Sequence, residues 1–150
     1  MNPFDPKAAL LAKHAQHVVL VHFPIALFMT GVLFDLAARW TKEVTRQTTL
    51  AAGSRLNILA AAVSVLPTLA TGIAAWEWQL GGHKLKGLLL LHFVLGSVSG
   101  VLICLVAWIH LRQSSASLPR YYLPLQVLTV VVVALTAHVG GFVSGINVPG

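Results

Sequence analysis

Four of the seven histidines are the residues of this sequence whose types and spacing can do chemistry. His17 and His22 open the first long apolar run, His92 lies early in the third run, and His138 lies late in the fourth. A neutral imidazole is a good metal ligand, and a histidine inside an apolar segment is costly unless it has a partner. These histidines therefore predict a metal or cofactor site, and the structural alternative is hydrogen bonding between helices.

The composition is that of an integral membrane protein. Of the 150 residues, 57% are apolar and only 9% are charged, whereas a soluble domain carries about 25% charged residues. Four apolar runs have about the 20 residues that a helix needs to cross the hydrocarbon core. We predict an all-α membrane protein, one domain over residues 1–150, whose spans form an up-down-up-down four-helix bundle without an evident internal repeat. The predicted spans cover residues 17–38, 56–78, 87–109 and 121–142.

Alternating spans place the histidines on one side of the membrane. His22, His92 and His138 then lie at a similar depth, about 7 Å below their helix ends, with His17 above them at the rim. The first and third helices of such a bundle are diagonal neighbours, so we predict His22 and His92 as the axial ligands of a b-type haem. Gly96, one turn from His92, leaves room for a flat macrocycle, although its spacing from Gly100 is also typical of close helix packing.

The function that this arrangement predicts is electron transfer in the membrane by one or two haem b groups. His17 and His138 would ligate a second haem, or bond the propionates and a quinone. Further candidates for binding the propionates lie on the same side of the membrane: Lys13, His14, His83, Lys84 and Lys86. The sequence shows no residue set for bond-making catalysis, so any catalysis would be electron transfer by the cofactor.

Two alternatives come from other functional classes. The first is a protein that binds or transports non-haem copper, zinc or iron through His17, His22 and His138. The second is a structural membrane subunit without a cofactor, in which the histidines only join helices. Elemental and optical analysis of the purified protein separates all three.

The charges indicate a lipid surface and an orientation. The formal charge of +6 comes from basic residues at the ends of the apolar runs, which suits anionic headgroups better than nucleic acid. We also expect Asp35 to lie at the interface or to pair with Arg39 one turn later. Basic residues favour the cytoplasmic side. Six of them lie on the side opposite the termini and four on the side of the termini, which predicts that both termini are outside the cytoplasm. The six are Arg39, Lys42, Arg46, Arg55, Arg112 and Arg120, and the four are Lys7, Lys13, Lys84 and Lys86.

Five short motifs carry a family resemblance that extends from His17 to Pro149. In chain order they are His17-Val-Val-Leu-Val-His22-Phe-Pro24, Phe34-Asp35-Leu36, Thr71-Gly72, His92 with Gly96, and His138-Val-Gly140-Gly141. The sequence resembles the small four-span bacterial membrane proteins catalogued as domain of unknown function 2231. The resemblance implies a four-helix domain of the bacterial inner membrane, often found beside redox components, and brings no established activity.

The chain departs from this family pattern at two positions. Family members usually have proline directly after the first histidine, where this chain has Val18. They often have an acid before the tryptophan that follows the Thr-Gly pair, where this chain has Ala75 before Trp76. In this chain the acid directly follows Trp76, at Glu77.

Overall fold

Four long helices make up the fold of this chain. The structure is a computed structural model that describes residues 15–82, 84–112 and 119–145. The helices are α1 (Ala15–Trp40), α2 (Val44–Leu80), α3 (Gly87–Arg112) and α4 (Tyr122–Val143). All four are long and apolar enough to cross a membrane. They pack in the order α1, α2, α3, α4 around the bundle, so that α1 and α3 are diagonal. The predicted four-span bundle is confirmed.

Helix α2 is longer than a membrane crossing requires. Its 37 residues begin at Val44, so most of the connector predicted between Arg39 and Arg55 is helical. At about 1.5 Å per residue the helix is about 55 Å long, against about 30 Å of hydrocarbon. The exposed first turns of α2 therefore extend beyond the hydrocarbon. The helix ends at Gly81, whose φ of 57° is the left-handed conformation that glycine adopts at helix C-termini.

The outer surface of the bundle is apolar and much of its interior is polar. Large apolar side chains such as Leu33, Leu56 and Val101 are more than 60% exposed, as side chains that face lipid must be. The buried polar residues are Asp35, Ser54, Thr68, Ser99, His110, Gln126, Thr129 and Thr136. Since hydrocarbon offers no hydrogen-bonding partner, polar side chains of a membrane helix turn towards the bundle interior.

The two helical hairpins, α1 with α2 and α3 with α4, repeat one pattern of burial. Every buried residue of α2 has a buried counterpart 68 positions later in α4. The pairs are Ser54 and Tyr122, Ile58 and Gln126, Ala61 and Thr129, Val65 and Val133, and Thr68 and Thr136. Likewise Phe28, Val32 and Asp35 of α1 have buried counterparts 75 positions later, in Ile103, Ala107 and His110 of α3. The hairpins are thus structurally equivalent, although few of the paired residues are identical.

Pro24 lies inside α1 without ending the helix. Proline has no N–H, so the carbonyl one turn earlier, that of Leu20, loses its usual donor. The hydroxyl of Thr68 on α2 lies 3.2 Å from this carbonyl and shares its proton between it and the Ser64 carbonyl of its own helix, at 2.8 Å. The proline therefore creates a free acceptor that fixes α1 against α2.

The closest approach of α1 and α2 depends on Gly31. A Cβ atom at this position would lie 2.7 Å from the Ile58 side chain and 3.2 Å from the Ser54 carbonyl oxygen. We expect Gly31→Ala to destabilise the bundle by about 1–3 kcal/mol, as overpacking does. Thermal unfolding in detergent measures this loss. Gly96→Ala is the control, because its Cβ would meet only Thr136 Cγ2 at an ordinary 3.8 Å; equal unfolding midpoints for the two variants would contradict the assignment.

Candidate functional site

Two imidazoles lie close together inside the bundle, near one of its ends. His17 on α1 and His92 on α3 have ring centroids 6.3 Å apart, with their planes at 76°. Both rings are half-buried. The diagonal helices predicted to supply a pair of ligands do bring two histidines together, and they are His17 and His92.

Each imidazole is held by the same contact. His17 Nδ1 lies 3.1 Å from the Thr68 carbonyl oxygen, and His92 Nδ1 lies 3.2 Å from the Thr136 carbonyl oxygen. A carbonyl can only accept a hydrogen bond, so Nδ1 is the nitrogen that carries the proton. Nε2 of a neutral ring then keeps its lone pair. Histidines that ligate metals are usually oriented by such a second bond.

Two glycines make room for the imidazoles. A Cβ atom on Gly72 would lie 3.0 Å from His17 Cε1, and one on Gly140 would lie 2.9 Å from His92 Cε1. Each glycine follows, by one helical turn, the threonine whose carbonyl accepts the bond. Gly72 and Gly140 are thus site residues whose role the sequence analysis missed, although the shared Thr-x-x-x-Gly spacing was a signal for them.

A cavity of about 80 Å³ lies beside the two rings at the centre of the bundle. Its lining is mostly apolar, and Gly96, predicted to leave space for a cofactor, is part of it. The hydroxyls of Ser99 and Thr136, also in the lining, are hydrogen-bonded to each other at 2.8 Å. The α1 and α3 residues of the lining are His17, Val21, Pro24, Ile25, His92, Gly96, Ser99, Gly100 and Ile103.

His22 and His138 lie away from this pair. His22 is exposed and its Nδ1 contacts the Val18 carbonyl of its own helix at 2.6 Å. His138 is exposed and packs edge-on against Phe142. At about 100° per residue, His22 points about 140° away from His17 around α1. Within the described ranges, no group of three or more His, Cys, Asp or Glu residues is arranged to hold a metal ion.

Of the two expectations for Asp35, the interface or pairing with Arg39, the structure shows the pair, with Oδ2 and Nη2 3.3 Å apart. It lies at the other end of α1 from His17. Of the candidates for binding propionates, Lys84 and Lys86 are exposed in the connector before α3. Lys13, His14 and His83 lie outside the described residues.

Alanine at either glycine should displace the neighbouring imidazole from its carbonyl. We expect Gly72→Ala to alter His17 and Gly140→Ala to alter His92, each with a stability loss of about 1–3 kcal/mol. Nitrogen NMR of the full chain labelled at histidine identifies which ring nitrogen is protonated, and thermal unfolding gives the loss. Gly96→Ala, whose Cβ would touch no imidazole, should leave both rings unchanged. An unaltered His17 signal in Gly72→Ala would refute the contact.

Comparison with known protein families gives a match over most of the chain. A family model described as predicted membrane protein (DUF2231) matches residues 13–145. Neither the curated proteins nor the solved structures contain a match. The matched segment includes all four helices and both anchored histidines. The chain therefore belongs to the DUF2231 family of predicted membrane proteins.

Proposed function

We propose that this protein binds one b-type haem between His17 and His92 and transfers electrons within the membrane. The observation that carries the proposal is a pair of imidazoles from diagonal helices, each anchored through Nδ1 and each left with an Nε2 lone pair. Bundles commonly hold cofactors through side chains that project inward from facing helices.

The number of ligands favours haem over a bare metal ion. A structural zinc site takes four protein ligands and a catalytic one takes three. The described part of the chain supplies two imidazoles here and no group of three ligands. A porphyrin brings its own four nitrogens and needs only axial ligands from the protein, so a two-histidine set suits it. Bound haem supplies one-electron chemistry.

The spacing of the rings fits a shared metal ion. With metal–nitrogen bonds of about 2 Å, two imidazoles on opposite sides of one ion have ring centres about 6 Å apart, and the observed separation is 6.3 Å. The cavity of about 80 Å³ is partly open to the outside of the bundle. A haem held by His17 and His92 would therefore be only partly enclosed by the protein.

Other residues of the chain would orient the imidazoles, exclude water from them and bind the propionates. The Thr68 and Thr136 carbonyls fix the orientation of the imidazoles, and apolar neighbours such as Val21 and Val133 keep water away from the rings. Lys84 and Lys86 are candidate partners for the propionates, because both are exposed at the same end of the bundle. His22 and His138 are outside the proposed site.

We further propose which membrane holds the protein and which class of redox partner exchanges electrons with it. The basic residues favour the bacterial inner membrane with both termini on the periplasmic side. This orientation puts the imidazole pair near the periplasmic surface. The redox partner is then a periplasmic electron-transfer protein or a quinone in the outer half of the bilayer.

Optical spectra of the protein purified from a haem-replete host test the proposal. We expect the reduced protein to show the sharp bands of low-spin haem, with one haem per chain by pyridine extraction. His17→Ala and His92→Ala should each abolish the low-spin spectrum, because each removes one axial ligand. The matched controls His22→Ala and His138→Ala, at exposed positions of the same helical bundle, should keep it.

Helical content by circular dichroism shows whether each variant is folded. In His17→Gly, added imidazole should restore the low-spin bands if the loss is one of ligation. Colourless wild-type protein would refute haem binding. Metal analysis of that sample would then separate a copper, zinc or iron site from a structural bundle, in which the histidines only join helices.

A further inference from the structure

A second buried polar cluster lies at the end of the bundle opposite the imidazole pair. It contains the buried residues Asp35, His110, Tyr122 and Gln126, each at most 5% exposed as a whole residue. Asp35 and His110 occupy equivalent positions of the two hairpins, as His17 and His92 do. They lie 18 residues further along their helices, about 27 Å from the imidazole pair. The cluster is therefore separate from the proposed haem site.

Hydrogen bonds connect three of these residues in a chain. The Gln126 amide Nε2 donates to the Tyr122 hydroxyl at 3.0 Å, and the same hydroxyl is hydrogen-bonded to His110 Nε2. Since the phenol oxygen already accepts from Gln126, we assign its own proton to the bond with His110. A neutral His110 then carries its ring proton on Nδ1.

Three buried polar atoms at this end have no partner in the described part of the chain. They are His110 Nδ1, Gln126 Oε1 and Ser54 Oγ, the last on the α2 residue equivalent to Tyr122. Leaving such a buried group unpaired is unfavourable. The set contains a donor, an acceptor and a hydroxyl that can act as either. Water can bond to both donors and acceptors.

Charged groups surround His110 from the neighbouring helices. The Asp35 carboxylate of α1 attracts a positive charge on this ring, whereas Arg39 of α1 and Arg55 of α2 repel it. Asp35 is paired with Arg39, whose side chain is 39% exposed. The Arg39 guanidinium also lies over the Tyr122 ring, 5.9 Å from its centroid. The exposed arginine thus links the buried cluster to the aqueous side at the 41–43 connector.

We propose that this cluster is a proton-binding site, in which ordered water satisfies the unpaired atoms and His110 takes up a proton from the aqueous side at the 41–43 connector. The net step is protonation of a neutral imidazole. An N–H bond forms at Nε2, and a hydronium ion at the surface gives up one O–H bond to become water. No electron changes place, and the Asp35 carboxylate, which is also paired with Arg39, attracts the imidazolium.

The hydrogen-bond chain can reverse to accept this proton. Once Nε2 carries a hydrogen, it donates to the Tyr122 oxygen, and the Tyr122 hydroxyl needs another acceptor. Gln126 Oε1 is such an acceptor, because it has no partner in the described structure and belongs to the residue already bonded to Tyr122. Rotation of the amide group therefore lets the bond between Tyr122 and His110 persist in both protonation states.

Nitrogen NMR of the full chain in lipid nanodiscs, labelled at histidine, tests this site. His110→Gln assigns the resonances. In wild type we expect a neutral His110 protonated at Nδ1 at high pH, and both nitrogens protonated on acidification. Asp35→Asn removes the carboxylate that attracts the imidazolium. Protonation of half of the His110 rings should then require a hydrogen-ion concentration about ten times higher than in wild type.

Tyr122→Phe tests whether the Tyr122 hydroxyl sets the tautomer of His110, which a purely structural role for Tyr122 would not change. Without the hydroxyl donor, Nε2 is free to take the proton of the neutral ring, so the preferred tautomer of His110 should change. The conservative ring replacement keeps the packing, and His22→Ala is the control that should leave His110 unchanged. A His110 that stays neutral at every pH at which the protein is folded, or that keeps its tautomer in Tyr122→Phe, overturns the proposal. Neither readout requires haem, so the two proposals fail separately.

Discussion

The hydrogen bond from an imidazole to a threonine carbonyl on the next helix is the contact on which this bundle is organised. Hydrocarbon offers no partner to a polar group, so an inward histidine must find one inside the protein. The carbonyl is reachable only because glycine follows one turn later, at Gly72 and Gly140. The bond fixes how the two helices of a hairpin are rotated relative to each other. It also leaves Nε2 of His17 and His92 free for a ligand.

The equivalence of the two hairpins explains why one end of the bundle is symmetric and the other is not. At the first end both hairpins retain the same histidine, threonine and glycine, and the result is a matched pair of imidazoles. At the second end the equivalent positions hold different residues, Asp35 with His110 and Ser54 with Tyr122. Matched ligands suit a symmetric metal centre, whereas a carboxylate opposite an imidazole suits a proton.

The separation of the two ends limits how they can cooperate. About 27 Å of apolar helix lies between them, so the proton site is not a hydrogen-bonding partner of anything bound at the imidazole pair. Any influence of the proton site on the imidazole pair therefore acts through the electrostatic field across the bundle or through movement of the helices. A partly open cavity lies beside His17 and His92.

The sequence by itself determined the number and direction of the helices, since span length and short connectors leave little freedom. It also predicted that His17, His22, His92 and His138 share one end of the bundle, and it named pairing with Arg39 as one of two expectations for Asp35. Only the tertiary structure decided which histidines face inward, because lipid and bundle core are both apolar and hydropathy therefore does not encode the rotation of a span about its axis. The equivalence of the hairpins was hidden for the same reason: it is a pattern of burial, and few of the equivalent residues are identical.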